Sequence, residues 1–217
     1  MNKHISIIPL TVLSIIMISS CAKKSTSEKV EPIKAYNLDF NWGEGGPNAF
    51  AEPGLWADAN PQEHIQWYRD MGVNVIQTFI VSCNGYAWYK NGVVPEQPGL
   101  KHDFLPEMVR LGHENGIKVM GYLCIGSNTR WGMENPDYSY GYPADRHIPY
   151  TRKYLDYLDE LIRDAVQKTG IDGFMIDWVW QPSRKENGDR WIQSEKDLFK
   201  FTFVQVHQRY VVHWFDV

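Results

Sequence analysis

The chain has 217 residues and a formal net charge of −4 at pH 7, enough length for one domain with a sizeable core. The weakly negative balance argues against a nucleic-acid partner, because phosphate binding asks for a basic face. Nine Trp and twelve Tyr, many of them between regular elements, point to another kind of partner.

The first twenty residues read as a signal peptide rather than as part of the fold. Lys3 and His4 precede an apolar run from Ile5 to Ile18, which Ser6, Pro9, Thr11 and Ser14 interrupt. A basic start, a short apolar stretch and small residues at the end are the pattern of export. The run is too short and broken for a membrane span. Ser19-Ser20-Cys21 resembles a bacterial lipobox, so Cys21 is expected to carry a lipid; the alternative is an ordinary cleaved signal with an incidental cysteine. Residues 21–34 are then a polar tether. The expected location is the bacterial cell envelope, with the membrane as a partner through lipidated Cys21. In an oxidising compartment Cys83 and Cys124 could pair; the reading adopted is two buried thiols.

Residues 35–217 carry the domain. Its first strand is expected over Ala35–Trp42. A helix follows at Asn60-Pro61-Gln62-Glu63, where a cap residue, a proline at the first helical position and a glutamate open it. Ile65, Tyr68 and Met71 share its inner face. Three times a glycine closes a helical pattern and a strand begins at once: Gly72 before Val73–Val81, Gly116 before Ile117–Ile125, and Gly170 before Ile171–Trp180. The helix ahead of Gly170 is the clearest. Tyr154, Leu155, Leu158, Leu161, Ile162, Ala165 and Val166 form its stripe of period 3.6, with Asp156, Asp159, Glu160, Arg163 and Asp164 opposite. A further helix is expected to open at Ser194-Glu-Lys-Asp197.

Alternating strands and helices predict an α/β fold with a parallel sheet and right-handed crossovers. The helix-to-strand turns are about one glycine long. The strand-to-helix loops, Gly43–Ala59, Cys83–His102, Ser127–Ile148 and Gln181–Gln193, exceed the usual two to six or so residues. Long loops at one end of a parallel sheet predict a (β/α)8 TIM barrel with its functional face there. The alternative is a doubly wound sheet, but Gly43-Glu-Gly-Gly-Pro47 lacks the dinucleotide-loop spacing. Four βα units are visible where a barrel takes eight and about 250 residues. The expectation is therefore a barrel cut after about four units. The uncapped pattern of Phe203–Val217 suggests a truncated or frame-disrupted end.

Two aspartates in Gly170–Trp180 separate by position. Asp172 lies at the N-terminal end of its strand, the structural end of a barrel. Asp177 lies at the C-terminal end, where reacting groups gather. Alternation puts Asp177, Met175 and Gly173 toward the barrel axis, and Phe174, Ile176 and Trp178 toward the helices. Asp177 is the candidate catalytic carboxylate for chemistry on sugars; an aspartate paired with a neighbouring cation is the structural alternative. Trp42, Trp56, Tyr86, Trp88, Tyr89, Trp131, Trp178, Trp180 and Trp191 are candidates to line the face as platforms for sugar rings, about half of them filling space under loops. Asn41, Asn84 and Asn128 end the first three strands and could bond hydroxyls, or serve as turn residues. His64, His102 and His113 receive no catalytic role. No spacing suggests a metal site, and no cofactor is expected.

These residues resemble the catalytic barrel of α-L-fucosidase-like glycoside hydrolases (family 29) and related glycosyl hydrolases. Phe40-Asn41-Trp42-Gly43 is similar to the group's first-strand motif, and Val81–Tyr89 sits where its second-strand motif lies. Gly116-Ile117-Lys118, Gly121-Tyr122 and Trp131 match the third strand and its loop. Ile171–Trp178 resembles the fourth strand, which implies that Asp177 is the nucleophile and Tyr122 lies in the sugar site. The resemblance spans roughly residues 35–180. Where the group's fucosidases hold the sugar with histidines after strands one and two, this chain has Asn41 and Cys83-Asn84. The group's acid/base lies further along than residue 217. The function implied is an exported, lipid-anchored retaining glycoside hydrolase acting on oligo- or polysaccharides; the alternative is a non-catalytic carbohydrate-binding lipoprotein.

Overall fold

The computed structural model describes residues 31–44, 50–140, 147–179 and residues 192, 193, 196 and 197. The chain divides into units 1–32 and 33–217, and the fold described is that of the second. Four strands, β1 (Ala35–Asn37), β2 (Val75–Val81), β3 (Lys118–Cys124) and β4 (Gly173–Asp177), alternate with helices α1 (Pro61–Asp70), α2 (Phe104–Glu114), α3 (Thr129–Glu134) and α4 (Arg152–Thr169). All strand pairings are parallel, and each strand lies beside its predecessor in the order β1-β2-β3-β4. That succession is consistent with part of a barrel wall; a doubly wound sheet reverses direction at a switch point.

The helix boundaries follow from local chemistry. Asn60 Oδ1 accepts the Gln62 amide at 2.9 Å with Pro61 at the first position of α1. Thr151 Oγ1 accepts the Tyr154 amide and opens α4. Gly72, Gly116 and Gly170 sit at φ of +68°, +69° and +68°, the left-handed turn that ends a helix and feeds the next strand. The inner stripe of α4 is narrower than expected. Tyr154, Leu158, Leu161 and Ala165 are buried, while Leu155 and Val166 are exposed. Met71, expected on the inner face of the first helix, is its exposed C-cap residue.

Two strands differ from expectation. β1 stops at Asn37 because Asp39 turns the chain, its Oδ1 accepting the Asn41 amide at 2.8 Å. In β4 the side expected to face the helices is left partly open. The strand lies at one edge of the sheet, and Phe174 and Ile176 stay 38% and 41% exposed. α3 lies inside the segment expected as a plain loop after the third strand. Asn128 caps it by accepting the Trp131 amide at 2.9 Å.

The core fills the space between sheet and helices with Ile76, Ile80, Phe104, Met108, Val119 and Leu161. The loop joining β2 to α2 packs into it: Trp88, Tyr89 and Val94 have no exposed surface. Trp88 stacks on Phe40 at 4.6 Å, and its indole N–H donates to Ser82 Oγ at 2.7 Å. Asp164, expected on the outer face of its helix, clamps this loop instead. Its Oδ2 accepts from the Tyr89 hydroxyl at 2.9 Å and the Val93 amide at 3.0 Å. Among the described residues no helix is long and apolar enough to cross a membrane.

Candidate active site

The C-terminal ends of β2, β3 and β4 and the segment after β1 converge on one group, the carboxylate of Asp177. In register, Tyr122 pairs with Met175 and Cys124 with Asp177, so these side chains share one sheet face. The Tyr122 hydroxyl donates to Asp177 Oδ2 at 2.5 Å. The other oxygen, Oδ1, accepts the backbone amide of Trp178 at 2.7 Å. Trp178 itself turns into the left-handed region at φ +53°, a conformation a tryptophan adopts only when its surroundings hold it. The turn also needs Gly126: a Cβ there would meet the Trp178 carbonyl oxygen at 2.1 Å. The Tyr150 hydroxyl donates to that same carbonyl at 3.4 Å.

Tyr122 is itself fixed. Asn41 Nδ2 donates to its hydroxyl at 3.2 Å, as does Cys124 Sγ at 3.2 Å. Its ring packs on Phe79 with centroids 4.4 Å apart. Burial, the neighbouring Cys124 and the bond to Asp177 push its hydroxyl far above the ordinary tyrosine range. That shift keeps the phenol protonated as the donor to the carboxylate. Asp177 is half-buried, held from two sides in fixed orientation, and aromatic rings stand around it. Trp178, Phe50 and Trp42 form a chain of ring contacts at 5.4 and 5.7 Å, and His147 lies 5.1 Å from Trp178.

Asp172 sits at the opposite end of β4. Its Oδ2 accepts the Val119 amide at 2.7 Å and pairs with His113 Nε2 at 2.9 Å. Burial works against its charge, but the Val119 amide and His113 together hold its carboxyl below the usual carboxylate range. It ties β4 to β3 and lies apart from the aromatic face.

The other expected site residues fare differently. Tyr122 and Trp178 are brought to Asp177, and Trp42 reaches Trp178 through the ring of Phe50. Asn41, Asn84 and Asn128 lie at strand ends as expected, but both ends of each amide have protein partners. Asn41 bonds the Cys83 amide and Tyr122, Asn84 bonds Ala51, Gln97 and Tyr86, and Asn128 caps α3 and donates to Tyr157. They hold the loops of the face. Trp88 and Trp131 are corrections: with 0% and 5% of their surface exposed they are core rings, and an enclosed ring cannot stack on a ligand. Tyr86 is half-buried beneath the Arg130 guanidinium, 5.9 Å away. Trp180, Trp191 and Cys21 lie outside the described residues, as do Ser194 and Glu195 of the helix start expected there. Sequence reasoning assigned no site role to Phe50, His147, Tyr150, Cys83 or Cys124. Cys83 and Cys124 lie within or beside the second- and third-strand motifs, but Phe50, His147 and Tyr150 have no motif next to them. Cys83 and Cys124 are free and buried, as the sequence reading held.

A parallel α/β sheet with one carboxylate held from two sides at its C-terminal edge is consistent with part of a barrel, whose reacting groups gather at that end. Residues 60–178 match the family model described as hypothetical glycosyl hydrolase 6, and the chain belongs to that family. No curated protein matches it. Among solved structures it is similar to α-L-fucosidase isoenzyme 2 from Paenibacillus thiaminolyticus, with a TM-score of 0.62 and 19% identity over 80% of this chain. The Thermotoga maritima α-fucosidase in complex with fucose gives a TM-score of 0.47 and 18% identity over 73% of this chain. The chain spans 26% and 35% of the lengths of these two.

Proposed function

We propose that this chain is the nucleophile-bearing part of a retaining glycoside hydrolase of (β/α)8 architecture, exported and lipid-anchored through Cys21, whose substrate is an α-L-fucoside or a related glycoside. The observation that carries the reading is the Asp177 carboxylate. It lies at the C-terminal end of β4, takes a short bond from Tyr122 and one from the Trp178 amide, and faces aromatic rings.

Both bonds fix the orientation of the Asp177 carboxylate, which positions it as a nucleophile. The rings of Trp42 and Trp178 offer apolar faces to a sugar. Retention also requires a general acid/base. Asp39 is a poor candidate, because its two oxygens already accept from the Asn41 amide and the Trp42 indole. That same fact favours a second reading, a protein that binds carbohydrate without cleaving it.

The test is hydrolysis of a panel of aryl glycosides, α-L-fucoside included, by the full-length protein. Asp177→Asn is expected to lose several orders of magnitude in turnover with an almost unchanged melting temperature. The first product anomer, followed by proton NMR, is expected to keep the substrate's configuration. Full turnover in Asp177→Asn excludes the nucleophile. Sugar binding by a wild type that cleaves nothing selects the second reading.

A further inference from the structure

Beneath Asp177 lies a thiol pair that the hydrolytic reading does not use. Cys83 follows β2 and Cys124 ends β3, and their sulfurs are in direct contact at 2.9 Å. Both side chains are buried, at 0% and 3% exposure. Their hydrogen bonds run in one direction. Cys83 Sγ donates to Cys124 Sγ, Cys124 Sγ donates to the Tyr122 hydroxyl at 3.2 Å, and Tyr122 donates to Asp177. The Cys83 backbone is fixed in turn by Asn41, whose Oδ1 accepts the Cys83 amide at 2.8 Å. Among the described residues no group of three His, Cys, Asp or Glu side chains could hold a metal ion. The pair therefore lacks the ligand set of a metal site and has the arrangement of a dithiol.

We propose that Cys83 and Cys124 are a disulfide-forming site whose oxidation rewires the floor of the active site. The oxidant is a low-molecular-weight disulfide or an oxidised dithiol protein. One cysteine sulfur attacks the oxidant's S–S bond, forming a mixed disulfide and releasing one thiol. The second cysteine sulfur then displaces the other half as a second thiol. The two cysteine protons leave on the two released thiols, and two electrons pass to the oxidant. The product holds the ends of β2 and β3 together covalently and no longer carries the Cys124 S–H that donates to Tyr122. Burial and the adjacent thiol push the Cys83 thiol well above its ordinary value. The folded dithiol therefore reacts slowly, and oxidation is fastest while the chain is folding.

The experiment uses full-length protein, reduced and then divided. One portion is kept native with glutathione disulfide. The other is unfolded and refolded in the same buffer. Both are blocked with iodoacetamide and examined by intact mass and by non-reducing peptide mapping. The expected product of refolding is two hydrogens lighter, resists alkylation at both positions and yields one linked peptide pair containing Cys83 and Cys124. Its melting temperature is expected to rise by roughly 5–15 °C over the reduced form. Cys83→Ser and Cys124→Ser are expected to form no such link and to melt alike in both buffers. Two alkylated thiols in both portions, or links from either position to other cysteines, overturn the proposal. The effect on turnover is a separate arm that rests on the hydrolase reading: oxidised wild type is expected to turn over more slowly than reduced, while Cys124→Ser is indifferent to the buffer. The mass and melting readouts stand even where no glycoside is cleaved.

Discussion

Replacing Asp172 by alanine tests whether the two aspartates of β4 have separate tasks. The wild-type carboxylate satisfies the amide of Val119, a residue with no exposed surface, one position before the β3–β4 ladder begins at Met120 and Gly173. Alanine leaves that N–H without its charged acceptor, a loss of about 1.5–3 kcal/mol when fully buried. The Asp172 side chain is 24% exposed, so water can replace part of the bond and the lower half of that range is expected. For a domain of this size each kcal/mol moves the melting temperature by roughly 2–4 °C, which gives a fall of about 3–9 °C at pH 7. Asp172→Asn keeps an oxygen for Val119 and is expected to lose less. The folded carboxyl sits below its unfolded value. Its contribution is therefore present above about pH 3.9 and fades as pH falls through the folded value. The gap between wild type and Asp172→Ala is then expected to narrow in acid. Thermal melts across pH measure it, with turnover per folded molecule read alongside. A gap that widens in acid, or loss of turnover in a fully folded Asp172→Ala, refutes the division of labour.

Tyr122→Phe removes the donor to Asp177 while keeping the ring on Phe79. A bond to a charged group is worth about 1.5–3 kcal/mol, so kcat/KM in the full-length enzyme is expected to fall by about 10- to 100-fold; an unchanged value shows that the 2.5 Å bond has no catalytic weight. Cys21→Ser is expected to move the protein from the membrane to the soluble fraction on cell fractionation, and unchanged membrane association sinks the lipid anchor.

What the sequence by itself determined is local. The caps at Asn60 and Thr151 and the glycines that end three helices act through bonds between residues a few positions apart, so their signals lie next to the structure they cause. The separation of Asp172 from Asp177 was legible for the same reason: strand direction follows from the helix before it, and position along a strand decides which end of the sheet a side chain reaches. The tertiary structure decided which rings and amides are available. Trp42 and Trp88 look alike as loop tryptophans, yet Trp88 is enclosed because its loop folds down onto Phe40 and is clamped by Asp164, 71 residues beyond Val93. Asn41 is committed to Tyr122, 81 residues away, and Cys83 touches Cys124, 41 residues away. No local pattern encodes such pairs. They arise because a parallel sheet aligns the ends of strands that helices keep far apart in the chain, and at that aligned edge the carboxylate, the phenol and the two thiols become one connected group.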